Sequence, residues 1–256
     1  MKDWEVVDSV PLLTRDSCQI WWARITDIQP WHYDLLNETE RERANVFHHS
    51  HDQVRFIIGC VISRLVLGGQ LKMFPYQVPI DRTCSNCKLP HGRPQLPNGM
   101  PHFSVSHSGE IVGVAFTAST PVGIDVEQLR PKIDVMTMSE GVLTDQEFAQ
   151  IKKLTTEEQV KGFLTYWTRK ESLLKATGEG LSIQPSNLSV SSPASSPQLL
   201  LFKNKPELVE ITSMIDLYPE ANYVAALSIL SKEVKEIRQF HAKRLLDKKP
   251  NMTVSY

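Results

Sequence analysis

Cysteine is scarce in this chain: four among 256 residues, at positions 18, 60, 84 and 87. They are too few and too scattered for a disulfide framework at this length, which excludes the disulfide-stapled secreted class. Cys84 and Cys87 share a metal-ligand spacing, with His91 close by, but no second Cys-x-x-Cys and no His pair completes four ligands. Loop cysteines are therefore favoured over a zinc knuckle. Long apolar runs are also missing. No window approaches eighteen consecutive apolar residues, and the start Met1-Lys2-Asp3-Trp4-Glu5 is too polar for a signal peptide. The expectation is a cytoplasmic protein that does not enter membranes. Charge of one sign is lacking too. A formal net charge of −1 argues against a nucleic-acid binder that works by bulk charge, leaving room only for a local basic patch. What remains, 41% hydrophobic and 22% charged, can bury a core as one large domain or two small ones.

Against that plain background one stretch is rich in chemistry. From Val160 to Ala176 the pattern reads as a helix, because Val160, Phe163, Trp167 and Leu174 fall on one stripe at about 100° per residue. Gly178 stops it. Glu171 and Lys175 lie side by side at the margin of that stripe, where a packed helix is half covered. They are either a solvated i,i+4 pair, worth about 0.3–0.5 kcal/mol, or two groups sharing a cleft edge. Upstream, Val122-Gly123-Ile124-Asp125-Val126-Glu127 alternates as a strand does, so Asp125 and Glu127 leave on the face opposite Ile124 and Val126. Like charges so placed repel unless a cation lies between them. Magnesium, a hard ion that takes carboxylate and phosphate oxygens, suits the position. The alternative is a strand end with both carboxylates solvated.

The rest of the chain frames these two stretches. Cys18 to Thr26 reads as a strand, Asn37 to Phe47 as an exposed helix, and His51 to Leu67 as a core helix ended by Gly68-Gly69. Prolines between Gln70 and Met100 forbid a long helix there. Within that region Gly92-Arg93-Pro94 combines a glycine that permits close backbone approach with an arginine fork suited to phosphate. His102 to Thr117 reads as a hairpin, with His107 at its turn, able to hydrogen-bond a phosphate oxygen. Thr144 and Thr155 open capping-box helices. After Leu181, short strands are expected around 187–190, 199–202, 209–217 and 223–229; residues 235–246 are ambiguous. This order predicts an α+β fold, with 247–256 as a loose tail.

Four stretches together resemble the phosphopantetheinyl transferases, in particular their larger, surfactin-synthetase-activating class. They are Gly92-Arg93-Pro94-Gln95-Leu96-Pro97, Phe103-Ser104-Val105-Ser106-His107-Ser108-Gly109, Gly123-Ile124-Asp125-Val126-Glu127, and Trp167 through Leu181 with Lys170, Glu171, Ser172, Lys175, Gly178 and Gly180 in place. The resemblance runs from about Arg41 to about Leu230. It implies two similar α/β halves in one chain, related by a pseudo-twofold and divided near Thr120-Pro121 into residues 1–120 and residues 121–246 with a tail of 247–256, so that a monomer suffices. The implied reaction moves the 4'-phosphopantetheine arm of coenzyme A to a serine of an apo acyl or peptidyl carrier protein of peptide and polyketide synthases, releasing adenosine 3',5'-bisphosphate. Asp125, Glu127 and Glu171 would hold magnesium on the pyrophosphate, with Glu171 also a candidate base. Lys175 and His107 would neutralise the leaving phosphate, and Trp167 and Lys170 would give support. Gly92, Arg93, Pro94 and Ser106 would meet the nucleotide end of coenzyme A, and Arg43 and Arg55 its 3'-phosphate. Glu40 occupies one position that is basic in relatives.

Two other functions fit parts of the pattern. A magnesium-dependent phosphohydrolase also wants an Asp-x-Glu and a Lys/Glu helix, but needs no protein acceptor. A non-catalytic coenzyme A-binding module would keep the basic contacts and gain nothing from Asp125 and Glu127 on one face.

Overall fold

The computed structural model describes residues 4–84, 87–90, 92–130 and 133–250. His91 therefore lies outside the described residues, while Cys84 and Cys87 are both reduced. The chain folds as two compact units, one running up to Ser119 and taking in the segment from Lys235, the other spanning Thr120–Val234.

In the first unit, β1 (Ser17–Arg24) carries Ile20, Trp21 and Trp22, all fully buried, as its aromatic and β-branched composition predicts. Helix α1 (Glu38–Asn45) is short and capped by Asn37, whose side chain accepts from the Glu40 N–H. Helix α2 (Ser50–Leu71) lays Ile58, Val61, Ile62 and Val66 into the core. It runs past Gly68-Gly69 instead of ending there. Both glycines serve close packing: a Cβ would come within 2.9 Å of Met73 O at Gly68 and within 2.9 Å of Val10 Cβ at Gly69. By length and composition α2 alone among the described helices could cross a membrane, yet 72% of its most apolar window is buried inside the protein. The hairpin β2 (His102–Ser108) and β3 (Ile111–Thr117) completes the contribution of the first 119 residues.

The second unit begins with β4 (Val122–Gln128) and continues through α3 (Val135–Ser139), α4 (Asp145–Ile151) and α5 (Thr156–Thr177). Thr144 and Thr155 each close the expected capping box. Gly178, at φ 79°, ends α5 by donating its N–H to the Leu174 and Lys175 carbonyls. A two-stranded hairpin follows, β5 (Leu188–Val190) and β6 (Leu199–Phe202), then α6 (Leu208–Ile211), β7 (Ser213–Leu217) and β8 (Tyr223–Ile229). A strand was expected from Val209. Instead the chain makes a helical turn there, with the Val209 N–H bonded to Pro206 O and only Leu208 buried. The sheet is antiparallel in the order β4-β8-β7.

The chain then returns to the first unit through β9 (Glu236–His241) and α7 (Lys243–Asp247). Residues 235–246 thus do not stay with 121–234, as the division expected from sequence has it. Strand β9 pairs in parallel with β1, from Ser17 opposite Glu236 to Trp22 opposite His241, and Phe240 stacks on Trp21 at 4.6 Å. The first unit's sheet is consequently mixed, in the order β2-β3-β1-β9. Each unit sets one 22-residue helix against a sheet, and the α+β class holds.

Candidate active site

Helix α5 lies directly on β4, and a glycine makes this possible. A Cβ at Gly123 would sit 1.9 Å from Ser172 O and 2.5 Å from Ala176 N, distances no side chain tolerates. The close approach brings the last turns of α5 to the carboxylates of the strand: Lys175 donates through Nζ to Asp125 Oδ1 at 2.7 Å and to Ile124 O at 3.1 Å. Gly123→Ala is accordingly expected to cost about 3 kcal/mol or more by overpacking, read as a fall of roughly 6–12 °C in melting temperature; an unchanged melting temperature would show that the helix does not need the glycine.

The alternation along β4 is as expected, with Ile124 and Val126 fully buried on one face and Asp125 and Glu127 on the other. That second face meets α5 and not open water. Asp125 is 5% exposed and Glu171 8%. Oε1 of Glu171 is buried with no hydrogen bond. Its carboxyl is pushed up to about 7, first by burial, then by the negative charge of Asp125, with Lys175 opposing and Glu127 adding to the rise. Three carboxylates and an ammonium from two elements therefore converge. Among the described residues no three ligands already stand as a metal cluster. The donor chemistry nonetheless suits a hard divalent cation: every donor is oxygen, and one buried carboxylate oxygen lacks a partner beside two acids that repel it.

The remaining candidates sit in the first unit. His107 is the penultimate residue of β2, exposed, and not in the turn itself, which is made by Gly109 at φ 55°. Arg55 is committed to local work: it pairs with Asp52 on its own helix and donates to the Gly109 carbonyl, clamping the start of α2 to the β2–β3 turn. His107 is close enough to Asp52 to help hold that carboxyl below its ordinary value, after the Arg55 hydrogen bond as the main cause. Gly92 donates its N–H to Arg82 O at 2.7 Å, and a Cβ there would meet Thr83 O at 2.8 Å, so close backbone approach is what it supplies. Burial lowers the proton affinity of Arg93, whose charge in turn reaches His102. Pro94 is half-buried and Ser106 buried. Arg43 lies over the Phe56 ring. Glu40 is wholly internal, 2.8 Å from Arg64 Nε.

A family model described as the 4'-phosphopantetheinyl transferase superfamily matches residues 121–228, the segment that holds Asp125, Glu127, Glu171 and Lys175. Over that segment the chain is similar to this superfamily. Among transferases of known name, HetI of Nostoc sp. is 29% identical over 224 residues, covering 85% of this chain and 89% of that protein. Sfp of Bacillus subtilis is 29% identical over 158 residues, covering 61% of this chain and 66% of that protein. Among solved structures, the holo-[acyl-carrier-protein] synthase of Helicobacter pylori in complex with coenzyme A aligns at 22% identity and a TM-score of 0.34, over 43% of this chain and 99% of that one.

Two charged residues next to Glu171 do something sequence did not reveal. Lys170 is fully buried, and its Nζ donates to Glu147 Oε2 at 2.6 Å, Val142 O at 2.8 Å and Pro185 O at 3.2 Å. Arg169, also fully buried, forks onto Asp216 at 2.9 and 2.6 Å and donates to the carbonyls of Ser191, Ser192 and Ser195. These networks tie α5 to α4, β5 and β7. The capping box marked Glu147 as a helix cap, but gave no sign that the same carboxylate receives Lys170.

The raised carboxyl of Glu171 has a consequence for stability. Between its ordinary value of 4.5 and about 7 the folded protein keeps a proton that the unfolded chain has lost. The favourable contribution is complete below pH 4.5 and declines as pH rises towards 7, by about 3 kcal/mol. Urea denaturation in chelator should therefore show Glu171→Gln gaining roughly that much over the parent between pH 5 and pH 8. A difference independent of pH would contradict the burial of this carboxyl among acids.

Proposed function

We propose that this chain transfers the 4'-phosphopantetheine arm of coenzyme A to a serine hydroxyl of an apo carrier protein. The observation that carries this reading is the convergence of Asp125, Glu127, Glu171 and Lys175 inside the segment that matches the transferase family. In the reaction the serine oxygen bonds to the β-phosphorus of coenzyme A, the bond from that phosphorus to the bridging oxygen breaks, and its electron pair leaves with adenosine 3',5'-bisphosphate. A serine hydroxyl is a weak nucleophile, so a base is needed, and Glu171, buried beside Asp125, is the candidate both for that role and for completing the magnesium shell. Magnesium, held by Asp125, Glu127 and Glu171, would supply neutralisation of the diphosphate charge. Lys175, which reaches Asp125 through a 2.7 Å bond, is placed to exchange that contact for the leaving phosphate. The nucleotide portion of coenzyme A is assigned to Arg43, Gly92, Arg93, Pro94, Ser106 and His107, with Arg55 fixing the turn beside His107 rather than offering a vacant fork.

We assign the protein to the larger class acting on carriers of peptide and polyketide synthases, working in the cytoplasm as a monomer. The 85% coverage against the Nostoc transferase supports the transferase reading along most of the chain. Incubation with coenzyme A, magnesium and an apo carrier, followed by weighing the carrier, tests the function. A gain equal to the phosphopantetheine arm is expected. Phosphate release with an unmodified carrier selects a phosphohydrolase, and no change in either selects a binding module.

A further inference from the structure

The carboxylates assigned to a divalent cation already hold a cation of the chain's own. Lys175 Nζ bonds Asp125 Oδ1 at 2.7 Å and Ile124 O at 3.1 Å, so the ammonium rests on one of the three acids that an ion would take. The two partners differ in freedom. The Asp125 side chain is 7% exposed and carried on a paired strand, whereas that of Lys175 is 27% exposed and can swing outward on its flexible stem. Glu171 lies one turn earlier on α5, and its Oε1 is buried with no hydrogen bond. The ammonium therefore serves Asp125 and leaves that oxygen of Glu171 without a donor. A divalent ion drawn in by Glu171 and Asp125 would meet the Lys175 charge at close range, where burial weakens screening. Moving Lys175 aside relieves that repulsion but forfeits its bond to Asp125. A diphosphate settles both, because its oxygens can ligate the ion and accept the ammonium.

We propose that Lys175 makes the cation site conditional: its ammonium blocks Asp125 until a diphosphate arrives to receive it, so that divalent ion and coenzyme A bind as a pair. This rests on the magnesium and coenzyme A reading above and adds to it a rule of binding. Without nucleotide, the affinity for the ion is reduced by the small fraction of chains in which Asp125 stands released. With nucleotide, Lys175 has a new partner and the reduction disappears. Linkage makes the effect reciprocal: the ion tightens coenzyme A by the same factor as coenzyme A tightens the ion.

Titration of Mn²⁺, as a probe for magnesium, into the full chain with and without coenzyme A tests the rule, with free ion read by electron paramagnetic resonance. In the parent, coenzyme A is expected to tighten the ion about tenfold or more. Without coenzyme A, Lys175→Met should bind the ion about tenfold or more tightly than the parent does, and its gain from coenzyme A should shrink by a similar factor. Lys175→Gln, equally uncharged, carries the same comparison should Lys175→Met fail to fold. A merely structural role for Lys175 would weaken the ion in both conditions. That result, an uncharged variant no tighter than the parent without coenzyme A, or a parent indifferent to coenzyme A overturns the conditional site alone. A parent that binds no ion in either condition overturns it together with the magnesium reading.

Discussion

Glu171→Gln and Asp125→Asn are each expected to remain folded and to lose transfer to an apo carrier by about 10³-fold or more. The size follows from what the carboxylates are assigned to do: neutralising the diphosphate and taking the serine proton each contribute several kcal/mol to the barrier, and each 1.36 kcal/mol is tenfold in rate. For Glu171 the direction of the stability change separates lost chemistry from lost fold. Its buried carboxyl is pushed up to about 7, so the glutamine variant is more stable than the parent at pH 8 in chelator even as it stops working. Single-turnover labelling of the carrier gives the rate. Either variant retaining a tenth of the parent rate removes its residue from the chemistry.

Breaking the buried pair behind Glu171 should have the largest effect on stability. Lys170→Met leaves the Glu147 carboxylate buried with the N–H groups of Thr144 and Val190 as its remaining donors, and Glu147→Gln leaves an ammonium held by the Val142 and Pro185 carbonyls. Orphaning one member of a buried ion pair costs about 3–5 kcal/mol, a fall of roughly 6–20 °C in melting temperature at this size. Replacing both, as Lys170→Met with Glu147→Leu, should recover part of the loss, because the buried charge that the single variants leave unpaired is gone. Single variants within about 1 kcal/mol of the parent would mean that the pair is solvated in solution. Because Lys170 precedes Glu171 on α5, its loss should also reduce transfer in proportion to the disorder it causes in that helix.

Much of this was legible before the structure. The 3.6-residue stripe and two capping boxes located α4 and α5 closely, and period-two alternation put Asp125 and Glu127 on one face of β4. Such signals are local, written in neighbouring residues. Non-local contacts left no comparable trace. Nothing near residue 236 says that its strand runs parallel to β1, more than two hundred residues earlier. Gly68-Gly69 looks like a helix stop, because a glycine needed for tight packing and one needed for chain reversal are the same letter. Arg82 sits in a proline-rich stretch without periodicity, and only the fold brings it to Phe56 and Glu40. Lys170 read as a charge of open purpose, since its partner lies 23 positions upstream.

The shared cation site is tested most directly by titrating Mn²⁺, which takes the same oxygen ligands as magnesium, into the protein with coenzyme A present and reading free ion by electron paramagnetic resonance. One tight ion per chain is expected for the parent, with affinity at least tenfold weaker in Glu171→Gln and in Asp125→Asn. Equal binding by the parent and both variants would contradict a cation held jointly by β4 and α5.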